Sequence, residues 1–222
     1  MKTRIQSFLA VFTLLIAINI CANNKVNSSD TNNLLFENDS IYETVDKVPV
    51  YKKSRGNIQK YLAKQLKYPV DALAKEIEGK VLVSFVVTKD GELANVELVK
   101  GLYESIDKEA LRVIHSLDKW KPGVVNGEVV HTKVTLPVHF YISDESRLIA
   151  QQIKPFYLND RAPLFVIDKK KVTGVTTLEY FNIKSIRVIK GSKAVELYGD
   201  EAQNGVLVVE TKKGTEPIYR RY

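Results

Sequence analysis

Three stretches of this sequence predict an α+β fold, a small sheet with helices on one side. The first is Gly79 to Thr88, GKVLVSFVVT, closed by Lys89-Asp90-Gly91-Glu92 and followed by a second apolar run, Leu93 to Val99. Val81, Val83, Phe85 and Val87 share one face of a strand, and Leu82, Ser84 and Val86 the other. Asp-Gly between two such runs is a strong hairpin signal, so a hairpin is expected over 80–99. The second stretch is Ser105 to Lys119, where Ile106, Ala110, Val113, Ile114 and Leu117 form one apolar stripe at helical spacing. The third is Val129 to Ile142, an alternating run with Val134, Leu136, Val138, Phe140 and Ile142 on one face. Thr135, His139 and Tyr141 lie on its other face. Pro137 has no N–H to give, so this strand is expected to keep an unpaired stretch of edge.

The 222 residues suffice for one or two small domains, and 45% apolar content can fill a core. The net charge of +7 is spread as lysine along the chain, with a small cluster at Lys169–Lys171. That reads as a solvated face. No basic-aromatic RNA motif accompanies it, so nucleic acid is not an expected partner.

Residues 1–22 read as a secretory signal. Lys2 and Arg4 are basic, Phe8 to Ile18 is apolar, and Ala22 is the small residue at a cleavage site. The apolar run is short for a membrane span, which needs about 20 residues. Cleavage, retention as an anchor and lipidation at Cys21 all stay open. Cys21 is the one cysteine, so a chain cut after Ala22 has no thiol chemistry. Residues 23–40, rich in Asn, Ser and Asp, read as a polar tether. Fully extended, it reaches roughly 60 Å.

Ile41 to Tyr51 is expected to be extended, with Pro49 demoting its second half to an edge. Asn57 can cap a helix over 57–67, ended by Pro69, and Val70 to Ile77 reads as a second short helix. Ser105 is the expected cap of the helix over 105–119, and Trp120-Lys121-Pro122-Gly123 its stop. Residues 144–161 read as a connector. After it come a strand over 163–168, a helical turn over 176–181, a strand over 184–190, a helix over 192–198 ended by Gly199, and a strand over 205–211. Residues 215–222 form a basic tail. This second α/β unit is small and is expected to dock on the first or on a partner.

Little in the chain carries chemistry. His115, His131 and His139 are too scattered for a zinc pattern. Neither GxSxG, a phosphate-binding loop nor GxGxxG occurs. No metal or cofactor is expected, and no enzymatic activity. The residues point to a binding protein whose open strand edges can accept an extended peptide.

Several motifs in order resemble the C-terminal domain of the TonB family of energy transducers. They are Tyr68-Pro69-Val70-Asp71-Ala72, the run Gly79 to Val87 with Asp90-Gly91, Ile106 to Arg112, Trp120-Lys121-Pro122-Gly123 and Leu136-Pro137-Val138-His139-Phe140. The resemblance covers 41–143. Residues 162–214 resemble a fragment of the plug domain of TonB-dependent outer-membrane receptors of the glycan-importing kind. Pro163 to Asp168, Ile183 to Gly191, Tyr198-Gly199 and Asn204 to Gly214 carry that likeness. Lys169 stands where the plug usually has glycine, so that turn is expected to differ. With no barrel following, a receptor is not expected.

The resemblance implies capture of a receptor peptide, the TonB box, as a strand added beside 129–142. It implies Gln65, Lys67, Tyr68, Val134, Thr135, Leu136, His139 and Tyr141 as partner-binding residues, and a periplasmic location. The alternatives are a short transducer anchored in the inner membrane to a proton-driven motor, and a scaffold in which the plug-like unit docks on the TonB-like sheet. A homodimer is a further option.

Overall fold

The computed structural model describes residues 40–157, 161–175, 177–178, 183–212 and 219–220. The expected signal and tether, residues 1–39, lie outside these. Among the described residues no helix is long and apolar enough to cross a membrane.

Two short strands, β1 (Ile41–Tyr42) and β2 (Val50–Tyr51), open the chain, as the extended reading of 41–51 requires. Helix α1 (Ile58–Gln65) starts where Asn57 Oδ1 accepts the Lys60 N–H at 2.8 Å. It stops before the expected boundary, because Leu66 is already extended ahead of Pro69. Helix α2 (Val70–Ala74) is one short apolar helix with three fully buried residues besides Val70.

The hairpin forms from β3 (Gly79–Val87) and β4 (Leu93–Lys100), paired antiparallel. Its loop runs from Thr88 to Glu92 and is closed by the Gly91 N–H donating to Thr88 O at 2.9 Å. Gly91 has φ +82°, and a Cβ there would stand 2.2 Å from the Trp120 carbonyl oxygen. Only glycine fits, since the Trp120 N–H also donates to Gly91 O. Val81, Val83, Phe85 and Val87 are fully buried, as the alternation predicts.

Helix α3 (Glu104–His115) lays Ile106, Ala110, Val113 and Ile114 on that face, each fully buried. Its boundaries differ from expectation. Ser105 lies inside the first turn rather than at the cap, and Asp107 Oδ1 accepts the Leu102 N–H at 2.8 Å. Leu117 remains in the core just past the helix end. Strand β5 (Trp120–Lys121) pairs with β2, and Trp120 packs its ring 5.3 Å from Phe85 and 5.4 Å from Tyr51. Strand β6 (Gly123–Val125) then turns into β7 (Glu128–Phe140). The sheet order is β1-β7-β3-β4, with β6 also on β7. One core lies between this sheet and α1 and α3. Each large aliphatic or aromatic side chain buried there contributes about 1.5–3 kcal/mol.

The stretch 144–161, expected to be a connector, instead holds α4 (Asp144–Tyr157). Its Ser, Asp and Glu are cap and first-turn residues. Ser143 Oγ accepts the Ser146 N–H at 3.2 Å, and Asp144 and Glu145 sit at the positive end of the helix. Ile149, Ala150, Ile153 and Phe156 recur at helical spacing and are buried. Pro155 lies in the last turn, where the helix is ending.

The second sheet has the order β11-β12-β8-β9. It comprises β8 (Leu164–Ile167), β9 (Lys170–Val172), β11 (Ile183–Ile189) and β12 (Val206–Thr211). Asp168 and Lys169 both take left-handed φ, +47° and +68°, so the β8–β9 turn forms with lysine in the glycine position. The Asp168 carboxylate braces it by accepting the Thr211 N–H at 2.9 Å. Where a helical turn was expected, Thr177–Leu178 form a strand, β10, paired with β13 (Tyr219–Arg220) from the tail. Those pairs supply the backbone partners a lone turn could not; residues 176 and 179–182 lie outside the described set. Helix α5 (Ser192–Tyr198) ends at Gly199 as expected.

Residues from Ile41 onward form one compact unit. A second core joins Val70, Leu73 and Ala74 of α2 to Ile149, Ile153 and Phe156 of α4 and to Phe165, Ile167, Leu207 and Val209 of the second sheet. The C-terminal half therefore docks through α4 onto α2. Among the described residues, no strand of this half pairs with the first sheet. Lys154–Glu76 and Arg147–Glu78 ion pairs, 2.8 and 2.7 Å, flank this contact.

Candidate partner-binding edge

Strand β7 has two edges. One is paired with β3 from Thr132 to Phe140. There β6 continues the line of β3 along Glu128–Val130, while on the other edge β1 takes His131–Thr132. From Lys133 to Phe140 no described strand pairs with that edge. The free stretch is thus shorter than the whole of 129–142.

Pro137 fixes which groups face outward. It lies opposite Leu82, and without an N–H it can only occupy a non-hydrogen-bonded position of the β3–β7 ladder. Residues 134, 136, 138 and 140 therefore bond β3, and the N–H and C=O of Lys133, Thr135 and His139 point away from the sheet. Pro137 offers only its carbonyl there, which accepts Gln59 Nε2 at 3.0 Å. A proline in the middle of a nine-pair ladder is tolerated because its missing donor falls on the open side.

The side chains divide the same way. Leu136, Val138 and Phe140 are buried, and Val134 packs partly buried on the same core. The expectation that Val134 and Leu136 meet a partner is corrected by this placement. Their side chains point into the core and their backbone groups into β3. Thr135 is exposed and His139 half-buried on the opposite face, while Tyr141 is 71% exposed. The Tyr141 ring stacks on His139 at 5.7 Å and 9°, with Tyr141 Oη 3.2 Å from His139 Nδ1. At the other end, Lys133 reaches Glu43 at 3.0 Å in an exposed pair that adds at most about 1 kcal/mol.

Gln65 ends α1, and Lys67 and Tyr68 follow it. The Tyr68 ring meets Phe140 edge-on at 5.9 Å, beside the end of β7. Its hydroxyl donates to Ile77 O, and burial drives the phenol's pKa upward. The side chain is thus a brace between the two cores. Gln65 is exposed at the helix end, and Lys67 is half-buried. The backbone of this segment is clamped by two residues of α3. Arg112 Nη2 donates to Gln65 O at 3.0 Å, and Glu109 Oε1 accepts the Lys67 N–H at 2.7 Å. Glu109 and Arg112 pair at 2.6 Å, which holds the guanidinium firmly charged. Glu109, Arg112 and Gln59 are the site residues that sequence reasoning missed. Glu-x-x-Arg on one helix face signals a pair, but nothing local to it names the loop it would hold.

Residues 64–142 match the Gram-negative bacterial TonB protein C-terminal family. That segment is a domain of the TonB C-terminal type, and the match covers no more of the chain than this. The C-terminal domain of Helicobacter pylori TonB is 30% identical, covering 38% of this chain and 88% of that one, with a TM-score of 0.31. The Pseudomonas aeruginosa TonB domain is 26% identical over 36% of this chain and 80% of that one, with a TM-score of 0.29. At such scores the assignment rests on sequence. The chain is also similar to the TonB-dependent receptor P39 of Formosa agariphila, 27% identical over 142 residues. That match takes in 64% of this chain and extends beyond the family segment, but the chain spans only 13% of the receptor's length. In the TonB-type domain here, α3 and the sheet are the scaffold, and the outer edge of β7 with the segment 65–68 is the available surface.

Proposed function

We propose that this protein is a periplasmic binding module of TonB-dependent outer-membrane transport. It captures an extended receptor peptide, the TonB box, as a strand added to the outer edge of β7. The observation that carries the reading is the open edge from Lys133 to Phe140 in a domain of the TonB family. Thr135 and His139 each present an outward donor and acceptor, and the Tyr141–His139 stack offers a flat surface for an alternate side chain of the peptide. Tyr68, which follows Gln65 and Lys67 in the chain, packs on Phe140 at the end of the same strand. The role is binding rather than catalysis. Similarity to a TonB-dependent receptor supports a place in TonB-linked uptake, with residues 162–214 as a plug-like companion.

Titrating the full chain with a synthetic TonB-box peptide while following its backbone amides tests this. Shifts and slowed exchange at Lys133, Thr135 and His139 are expected. Absence of binding, or shifts confined to other surfaces, overturns the reading.

A further inference from the structure

The edge of β7 is interrupted at one place, and the interruption has its own side chain. Pro137 faces outward without a donor, and its carbonyl is held by the Gln59 carboxamide at 3.0 Å. Gln59 is half-buried on the first turn of α1, a helix anchored by its Asn57 cap and by Leu62 in the core. The contact therefore comes from a fixed element.

A strand laid on this edge aims one of its N–H groups at Pro137 O in either orientation, and one of its C=O groups at the N–H that proline lacks. At every other outward position, both bonds can form. We infer that Gln59 is a specificity-determining residue that occupies the Pro137 carbonyl and divides the edge into two pairing segments, Lys133–Thr135 and His139 onward. The bound peptide then gains nothing from the N–H that faces Pro137. The site accepts an extended peptide whose residue there has no N–H to give, a proline above all, and it favours such a peptide over one whose amide would be buried without an acceptor.

This deepens the reading of β7 as the capture edge and rests on it. The two are separable by amide-to-ester scanning of a TonB-box peptide, which deletes one N–H at a time without adding bulk. Binding with shifts at Thr135 and His139 must first be seen; if it is not, the capture reading itself fails. Given binding, esters at alternate residues should each weaken affinity roughly fivefold, the worth of a neutral hydrogen bond. One member of that alternating series should be silent. In Gln59→Ala the Pro137 carbonyl is released, and the silent position should become as sensitive as its neighbours. An unbroken series in the native protein, or a silent position that stays silent in Gln59→Ala, overturns the inference.

Discussion

The Glu109 carboxylate accepts the Lys67 N–H at 2.7 Å, so one buried acid on α3 fixes the backbone that leads into Tyr68-Pro69. The same carboxylate holds Arg112, whose guanidinium takes the Gln65 carbonyl. Glu109→Ala strands both the amide and the guanidinium. A charge-assisted hydrogen bond is worth about 1.5–3 kcal/mol, so urea unfolding should show a loss of about 2 kcal/mol. Amide shifts at residues 65–68 should move more than those of β4, which lies on the far side of the sheet.

Much of this arrangement could be read in the sequence, because period and burial coincide. The alternation over 79–87 and the stripe Ile106, Ala110, Val113 and Ile114 each found the face the core required. Pro137 was legible for the same reason, since a residue without an N–H restricts pairing wherever it stands. The missed features depend on distant partners. Residues 144–157 have a polar, connector-like composition, and the stripe Ile149, Ala150, Ile153 and Phe156 acquires its burial from α2 and from the second sheet, both distant in sequence. Val134 and Leu136 were placed at the edge because strand membership alone does not say which residues of a strand face outward. That parity is set by the pairing of Pro137 with Leu82.

Thr135→Pro separates edge chemistry from folding. Thr135 has the same outward parity as Pro137, so proline there removes a free donor and leaves the β3 ladder intact. Peptide affinity should fall at least roughly fivefold while the urea midpoint stays near that of the native protein. Leu136→Pro, one residue on, removes a ladder donor and should unfold the domain.

Glu78 makes the junction between β7 and α4 acid-sensitive. It accepts the Ile142 N–H at 2.7 Å and pairs with Arg147 at 2.7 Å, and these contacts hold its carboxyl below the usual carboxylate range. A lowered folded-state pKa stabilises above the unfolded value, about 4.3 for glutamate, and that stability is lost as pH falls through the folded value. Stability should therefore drop on acidification from about pH 4.3 downward. Glu78→Gln should be less stable than the native protein at neutral pH and show a shallower acid slope, as read from urea midpoints across that range.

Ile153 tests whether the two halves are one folding unit. It is fully buried on α4, in the core that α2 shares with the second sheet. Ile153→Ala should cost about 2–4 kcal/mol by the cavity it leaves. Trp120 is the one tryptophan of the chain and reports only the first core, against Tyr51 and Phe85. Because Tyr68 packs on both cores, and α2 lies between α4 and the first core, loss at Ile153 should reach Trp120. Its fluorescence midpoint in urea should fall together with the far-ultraviolet circular dichroism midpoint. A Trp120 transition that stays at its native midpoint in Ile153→Ala would show two independent cores, with α4 carrying no coupling between them.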